Sequence, residues 1–171
     1  MLRNEGTKYS GQCACQKTQY RFSDDPLIVP CCHCFACQRQ TGSAFAVNAL
    51  IETSEIKLLA GTTESVVVPT PSGKGQSIVR CKSCKTAVWS HYDMGGLGDL
   101  ISFVRVGTLN NPAQCRPDIH IYTSSKQPWM VLPPTERSVE EYYAARNVWS
   151  ERSQARFTEL KQQRSLLSRK H

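Results

Sequence analysis

Cys31-Cys32-His33-Cys34-Phe35-Ala36-Cys37 holds four of the chain's nine cysteines, three of them at the spacing Cys32-x-Cys34-x-x-Cys37. On an extended segment alternate side chains point the same way. Cys32 and Cys34 therefore share a face, a turn returns Cys37 to it, and Cys31 and His33 point to the other side. Three thiolates at this spacing can hold a zinc ion with its fourth tetrahedral position open to water or to an incoming thiolate. An open position distinguishes a catalytic zinc from a structural one. Cys31, His33 or Cys115 could instead close that position, although Cys31 and Cys115 read better as small buried hydrophobes.

Outward from this run lie two thiol pairs, Cys13-Ala14-Cys15 and Cys81-Lys82-Ser83-Cys84. Each pair on a turn brings two sulfurs to one metal, and the two pairs together close a tetrahedral site. Their separation is wide for a zinc ribbon, so such a metal would tie the first loop to the middle of the fold and stabilise it. The expectation is two zinc ions per chain, one structural at Cys13, Cys15, Cys81 and Cys84, and one catalytic at Cys32, Cys34 and Cys37.

Redox context decides between metal ligands and disulfides. Met1-Leu2-Arg3-Asn4-Glu5-Gly6 has no apolar leader segment, and no run of 18 apolar residues suggests a membrane span. These features point to the cytoplasm, with the nucleus as the alternative, and to few or no disulfides. The net charge of +7 could attract nucleic acid. The basic residues interleave with acidic ones, however, and there is no long basic arm or basic aromatic ladder, so a solvated basic surface is the better reading.

The 171 residues suffice for one domain with a real core. Residues 1–137 read as mainly β. Short apolar runs such as Val47-Asn48-Ala49-Leu50-Ile51, Ser65-Val66-Val67-Val68 and Leu100-Ile101-Ser102-Phe103-Val104 alternate with Gly/Pro turns, the pattern of a sandwich or barrel-like sheet. Residues 138–171 read as a helical extension packed on the β domain or on a second subunit of a homodimer. Ser138-Val139-Glu140-Glu141 has the form of a capping box, and Val139, Tyr142, Tyr143 and Trp149 follow as an apolar stripe.

The order Gly11-x-Cys13-x-Cys15, Cys32-His33-Cys34-x-x-Cys37-x-Arg39, Gly42-Ser43-Ala44-Phe45, Ser72-Gly73 and Cys81-x-x-Cys84 resembles the glutathione-dependent formaldehyde-activating enzyme (centromere protein V-like) family. Pro117-Asp118-Ile119-His120-Ile121 followed by Pro128-Trp129 is similar to that family's closing motif. The resemblance implies a two-zinc β-tent fold with the same division of the cysteines. It also implies a carbon–sulfur lyase activity, addition of glutathione to formaldehyde to give S-hydroxymethylglutathione. Two positions depart from the pattern: Arg80 stands where Phe is usual and Lys85 where Gly is usual, so the loop around the structural metal is expected to differ locally.

The function expected is therefore zinc-dependent joining of glutathione or a similar thiol to formaldehyde or another small aldehyde, or the reverse. The alternative is a non-catalytic zinc module that binds nucleic acid or protein. Glutathione is anionic, which makes Arg39 the sequence-local candidate to meet a carboxylate. Gly42 and Ser43 could present backbone amides to it, or simply form a turn. His33 reads as a ligand-orienting, proton-shuttling or packed residue. His120 and Trp129 line the pocket or fill the core, the latter being preferred for Trp129.

Overall fold

The computed structural model describes residues 8–168. The reading of residues 1–6 as lacking a leader, and the last three positions of the helical extension, lie outside them. In chain order the strands are β1 (Tyr9–Gln12), β2 (Gln19–Phe22), β3 (Pro30–Cys32), β4 (Ala46–Glu52), β5 (Lys57–Ala60), β6 (Thr63–Val68), β7 (Gln76–Cys81), β8 (Ala87–Tyr92), β9 (Ile101–Arg105) and β10 (Ile119–Ile121). The α-helices are α1 (Phe35–Thr41), α2 (Ala145–Val148) and α3 (Glu151–Ser168). The chain is thus mainly β, with two sheets and a C-terminal helix. One sheet has three strands in the order β1-β2-β5, and the other has seven in the order β10-β3-β4-β9-β8-β7-β6. Every pairing is antiparallel except β10 with β3.

Strand β4 explains the arrangement. Alternate residues of a strand face opposite sides of the sheet. Ala49 and Ile51 enter one core, with Tyr20, Phe22, Val88, Trp89 and Val104. Leu50 enters another, with Ile28, Leu97, Ile101, Ile119, Ile121, Trp149 and Leu160. At β4 and its neighbour β9 both faces of the large sheet are therefore covered, the first by the small sheet and the second by the C-terminal segment. This is why the middle of the chain reads as apolar runs rather than as strict apolar–polar alternation. The thiol groups divide in the same way. Cys13 and Cys81 belong to the first core, and Cys32 belongs to the second.

The capping box at Ser138 does not start a helix. Residues 137–141 run extended along β10: His120 N–H donates to the Arg137 carbonyl at 2.8 Å, Val139 N–H to the His120 carbonyl at 2.9 Å, and Tyr122 N–H to the Glu141 carbonyl at 2.8 Å. The open edge of β10 supplies unpaired backbone groups, and satisfying them outweighs a local helical preference. Helix α3 begins later and has its own cap, Ser150, whose Oγ accepts from Ser153 N–H at 3.1 Å. Ser153 and Leu160 are buried on the side of α3 that faces the sheet, while Leu166 and Leu167 are exposed near its end. No helix among the described residues is long and apolar enough to cross a membrane.

Candidate metal centres and active site

The β1–β2 turn and the β7–β8 turn carry the first thiol group. Both are built alike. Gln16 N–H and Lys85 N–H each bond back, at 2.9 Å, to the carbonyl of the first cysteine of the turn, Cys13 and Cys81. Both residues have left-handed backbone, with φ of 62°. Gly11 brings β1 into place: a Cβ there would lie 2.4 Å from the Tyr20 ring and 2.7 Å from the Thr108 carbonyl, so no side chain fits. Four sulfurs converge as a result. Cys13 and Cys15 are 3.5 Å apart, Cys15 and Cys81 are 3.8 Å apart, and all four, Cys84 included, lie within 4.8 Å of one another. The edge of a tetrahedron with metal–sulfur bonds of ~2.3 Å is about 3.8 Å, so the donor set fits zinc. Thr18 N–H donates to the Cys13 sulfur at 3.3 Å, and the Thr86 hydroxyl lies 3.2 Å from the Cys84 sulfur. The Thr86 hydroxyl and amide bring the Cys84 thiol down to about 5, which favours the thiolate that a metal requires.

The departures at Arg80 and Lys85 compensate each other in this loop. Lys85 takes the positive φ that a glycine would take freely, while Arg80 Nη1 donates to its carbonyl at 2.9 Å and Glu64 pairs its ammonium at 2.7 Å. A left-handed non-glycine residue costs roughly 1–2 kcal/mol, and an exposed ion pair returns ~0–1 kcal/mol. Lys85→Gly is therefore expected to stabilise the metal-loaded protein by about 1 kcal/mol, read from denaturant midpoints; a loss of stability would show that the ion pair dominates.

The second group is built at the junction of β3 and α1. Cys32 ends β3, Cys34 is the N-cap of α1 with extended backbone, and Cys37 lies in the first turn and donates its N–H to the Cys34 sulfur at 3.4 Å. Their sulfurs lie within 4.8 Å of one another. Hydrogen bonds from Cys32 and Cys37 and from the amides of Cys37 and Ala36 push the Cys34 thiol down, while the side chains of Cys34 and Cys37 and burial push Cys32 up. All three thiols can ionise together only with a cation among them. Three sulfurs rather than four make this donor set fit a metal that keeps one position open. Cys32 is buried and the other two are half-buried.

Residues 8–125 match the family described as Glutathione-dependent formaldehyde-activating enzyme. The chain belongs to this family. The match takes in all seven clustered cysteines of this formaldehyde-activating family member and ends before α2 and α3. A crystal structure of a Rhodobacter sphaeroides protein is similar over 59% of this chain and 87% of that one, at 16% identity and a TM-score of 0.44. No curated protein matches the chain.

The family's Cys-His-Cys core places His33 as the strand geometry requires, on the face opposite Cys32 and Cys34. There it meets Cys31 and His120, all three buried. His33 Nε2 lies 2.9 Å from His120 Nδ1 and 3.6 Å from the Cys31 sulfur, and His120 Nε2 lies 2.7 Å from a Glu136 carboxylate oxygen. Burial, then the nearby His120 and Lys126, lower the His33 imidazole to about 4, so the ring stays neutral. Burial first, then Glu136, raises the Cys31 thiol to about 12. Cys115 lies in the first core with Cys13 and Cys81 but joins none of the ligand groups found among the described residues, and burial raises it to about 11.

Arg39 is exposed in the last turn of α1. Gly42 is the left-handed C-cap, its N–H bonded to the Gln38 carbonyl at 2.8 Å, and Ser43 N–H bonds to the Thr41 hydroxyl at 3.3 Å. Both amides are therefore used within the turn rather than offered to a ligand. Trp129 is 71% exposed, contrary to the core position expected of it, and Phe35 beside Cys34 is 57% exposed. The backbone turns outward at Trp129 because residues 125–127 are held against α1. Gln38 Nε2 donates to the His33 carbonyl at 2.6 Å and to the Ser125 carbonyl at 3.0 Å, while Gln127 Nε2 donates to Gln38 Oε1 at 2.7 Å. Ser125 Oγ adds a second bond to the His33 carbonyl, at 3.1 Å. This clamp on the backbone between Cys32 and Cys34 was not read from the sequence. The nearest signal is an amide side chain immediately after Cys37.

Proposed function

We propose that this chain is a zinc-dependent enzyme of the carbon–sulfur lyase type, joining glutathione or a similar thiol to formaldehyde or another small aldehyde, or running the reverse reaction. The observation that carries the reading is the contrast between two donor sets in one chain: four converging sulfurs at one place and three, partly exposed, at the other. When bound at Cys32, Cys34 and Cys37, zinc supplies Lewis acidity and favours the thiolate form of a thiol. The chain's own residues hold the reactants around it. The Gln38–Ser125–Gln127 clamp fixes the loop that carries Cys32 and Cys34, and the buried His33–His120 pair, backed by the half-buried Glu136, anchors it from the other face. Arg39 offers a charge to a carboxylate of the thiol, and Phe35, exposed beside Cys34, leaves apolar surface at the rim. Little acid–base machinery is needed, because a soft nucleophile adding to a small carbonyl exchanges one proton only.

Cys34→Ser tests this directly. Serine is itself a good N-cap, so the local fold persists while one of three sulfurs is lost. The expected result is two zinc ions per wild-type chain and one per variant chain, with glutathione binding and accelerated adduct formation, followed by NMR, reduced at least 100-fold in the variant. Equal rates, or two zinc ions with no thiol binding in the wild type, would sink the proposal in favour of a structural zinc module.

A further inference from the structure

Arg105, at the end of β9, is a buried cation without an acidic partner. It is 8% exposed, its Nη1 donates to Asn48 Oδ1 at 2.9 Å and its Nη2 to Gln40 Oε1 at 3.1 Å, while its buried Nε has no partner. Both acceptors are neutral amides, and no carboxylate among the described residues forms an ion pair with it. Asn48 is its register partner across β4 and β9, so the guanidinium is placed by the sheet itself. Gln40 lies three residues beyond Cys37, one turn along α1, so the same guanidinium reaches the helix that carries the three-thiol group. A second side-chain chain supports Gln40: its Nε2 donates to Gln76 Oε1 at 2.9 Å, and Gln76 Nε2 donates to Ser90 Oγ at 2.8 Å.

Burying an ion without a counter-charge costs several kcal/mol, and a fold keeps one only where something compensates it. Arg80 adds a further positive charge nearby, which sharpens the need. The groups at hand that can carry negative charge are the sulfurs on the helix that Arg105 reaches through Gln40, once a bound cation ionises them. We infer that Arg105 is the buried counter-ion of the Cys32–Cys34–Cys37 group and biases its open ligand position toward anionic thiolates over neutral ligands. This rests on the three-sulfur, open-position reading above. The charge balance follows from counting. Three thiolates and a divalent cation sum to −1, and Arg105 brings the site to zero. An arriving thiolate then raises the total to −1 instead of −2, whereas a neutral ligand changes nothing. At an effective dielectric of about 20, one unit charge even as far as roughly 10 Å away is worth at least about tenfold in affinity for an anion.

Cobalt-substituted protein makes the open position visible through its absorption bands. Wild type, Arg105→Gln and Arg105→Lys are each titrated with 2-mercaptoethanol, whose only charge is the thiolate, and with imidazole, which is neutral. The expected result is a thiol affinity at least tenfold weaker in Arg105→Gln, an imidazole affinity within threefold of wild type, and near-wild-type thiol binding in Arg105→Lys. Gln40→Glu sets a carboxylate on Arg105 in a nearly isosteric change and must also weaken the thiol selectively; it carries the test if Arg105→Gln fails to fold. Equal losses for both probes, or a thiol affinity unchanged in Arg105→Gln and Gln40→Glu, would overturn the inference while leaving the open position standing. Wild type that binds neither probe would overturn both.

Discussion

Replacing Cys84 by serine is expected to weaken metal binding at the four-sulfur site and to lower the melting temperature by more than about 10 °C, with the single unfolding transition losing its cooperativity. Metal bound to such a four-thiolate set contributes roughly 10–16 kcal/mol in small zinc domains, as much as the ~5–15 kcal/mol of net stability of a typical domain. Three sulfurs still bind, so the loss is a fraction of the whole; ~5 kcal/mol at ~2–4 °C per kcal/mol gives the stated shift. The location makes the effect global. Cys13 and Cys81 are themselves core residues, packed with Tyr20, Phe22 and Trp89, and the site joins the small sheet to the large one.

Cys34→Ser sets the contrast. It removes a half-buried sulfur at the start of a seven-residue helix and leaves a competent cap, so its melting temperature should stay within a few degrees of wild type. Metal analysis and thermal unfolding on both variants decide the matter. Equal melting shifts would mean that the two thiol groups do not differ in kind, and the separation of structural from catalytic metal would fall.

The thiol groups left a strong trace in the sequence because residues that could hold one ion need fixed spacing, and turns provide it whatever surrounds them. The groupings Cys13/Cys15/Cys81/Cys84 and Cys32/Cys34/Cys37 were legible for this reason. So was the opposite facing of Cys31 and His33, which follows from strand alternation alone. Strands β4 and β9 were legible because burial on both faces makes them largely apolar runs. Strands β1 and β2 were not, because Tyr9-Ser10-Gly11-Gln12 and Gln19-Tyr20-Arg21-Phe22 each carry a single buried face and polar residues between. Helix α1 was hidden inside the metal motif, too short for a period to show. Ser138-Val139-Glu140-Glu141 misled because a capping box is a local signal, and the edge of β10 competes for the same backbone groups. Arg105 left no trace: one arginine among many basic residues gains its meaning only from burial and from the missing carboxylate.

The largest effect expected outside the metal centres belongs to Arg156, on α3. Its Nε donates to Glu52 Oε1 at 2.7 Å, its Nη2 to Glu52 Oε2, and its Nη1 to the Asp25 carbonyl at 2.7 Å. Both side chains of the pair are about 12% exposed. Glu52 ends β4, so this fork fastens the C-terminal helix, which lies beyond the family match, to an interior strand of the large sheet. Arg156→Met keeps the aliphatic stem and leaves the Glu52 carboxylate buried without a partner. Removing one member of such a pair costs ~3–5 kcal/mol, whereas replacing both by apolar groups is often close to neutral. Arg156→Met should therefore lower the melting temperature by roughly 6–20 °C, and adding Glu52→Leu should restore most of it. A double-mutant cycle in denaturant measures the coupling. If α3 were an independent appendage, Arg156→Met would leave the main transition in place and the second substitution would bring no recovery. Coupling of more than about 2 kcal/mol would instead make the helix part of the domain's cooperative unit, covering the second core and the β3–α1 junction built on it.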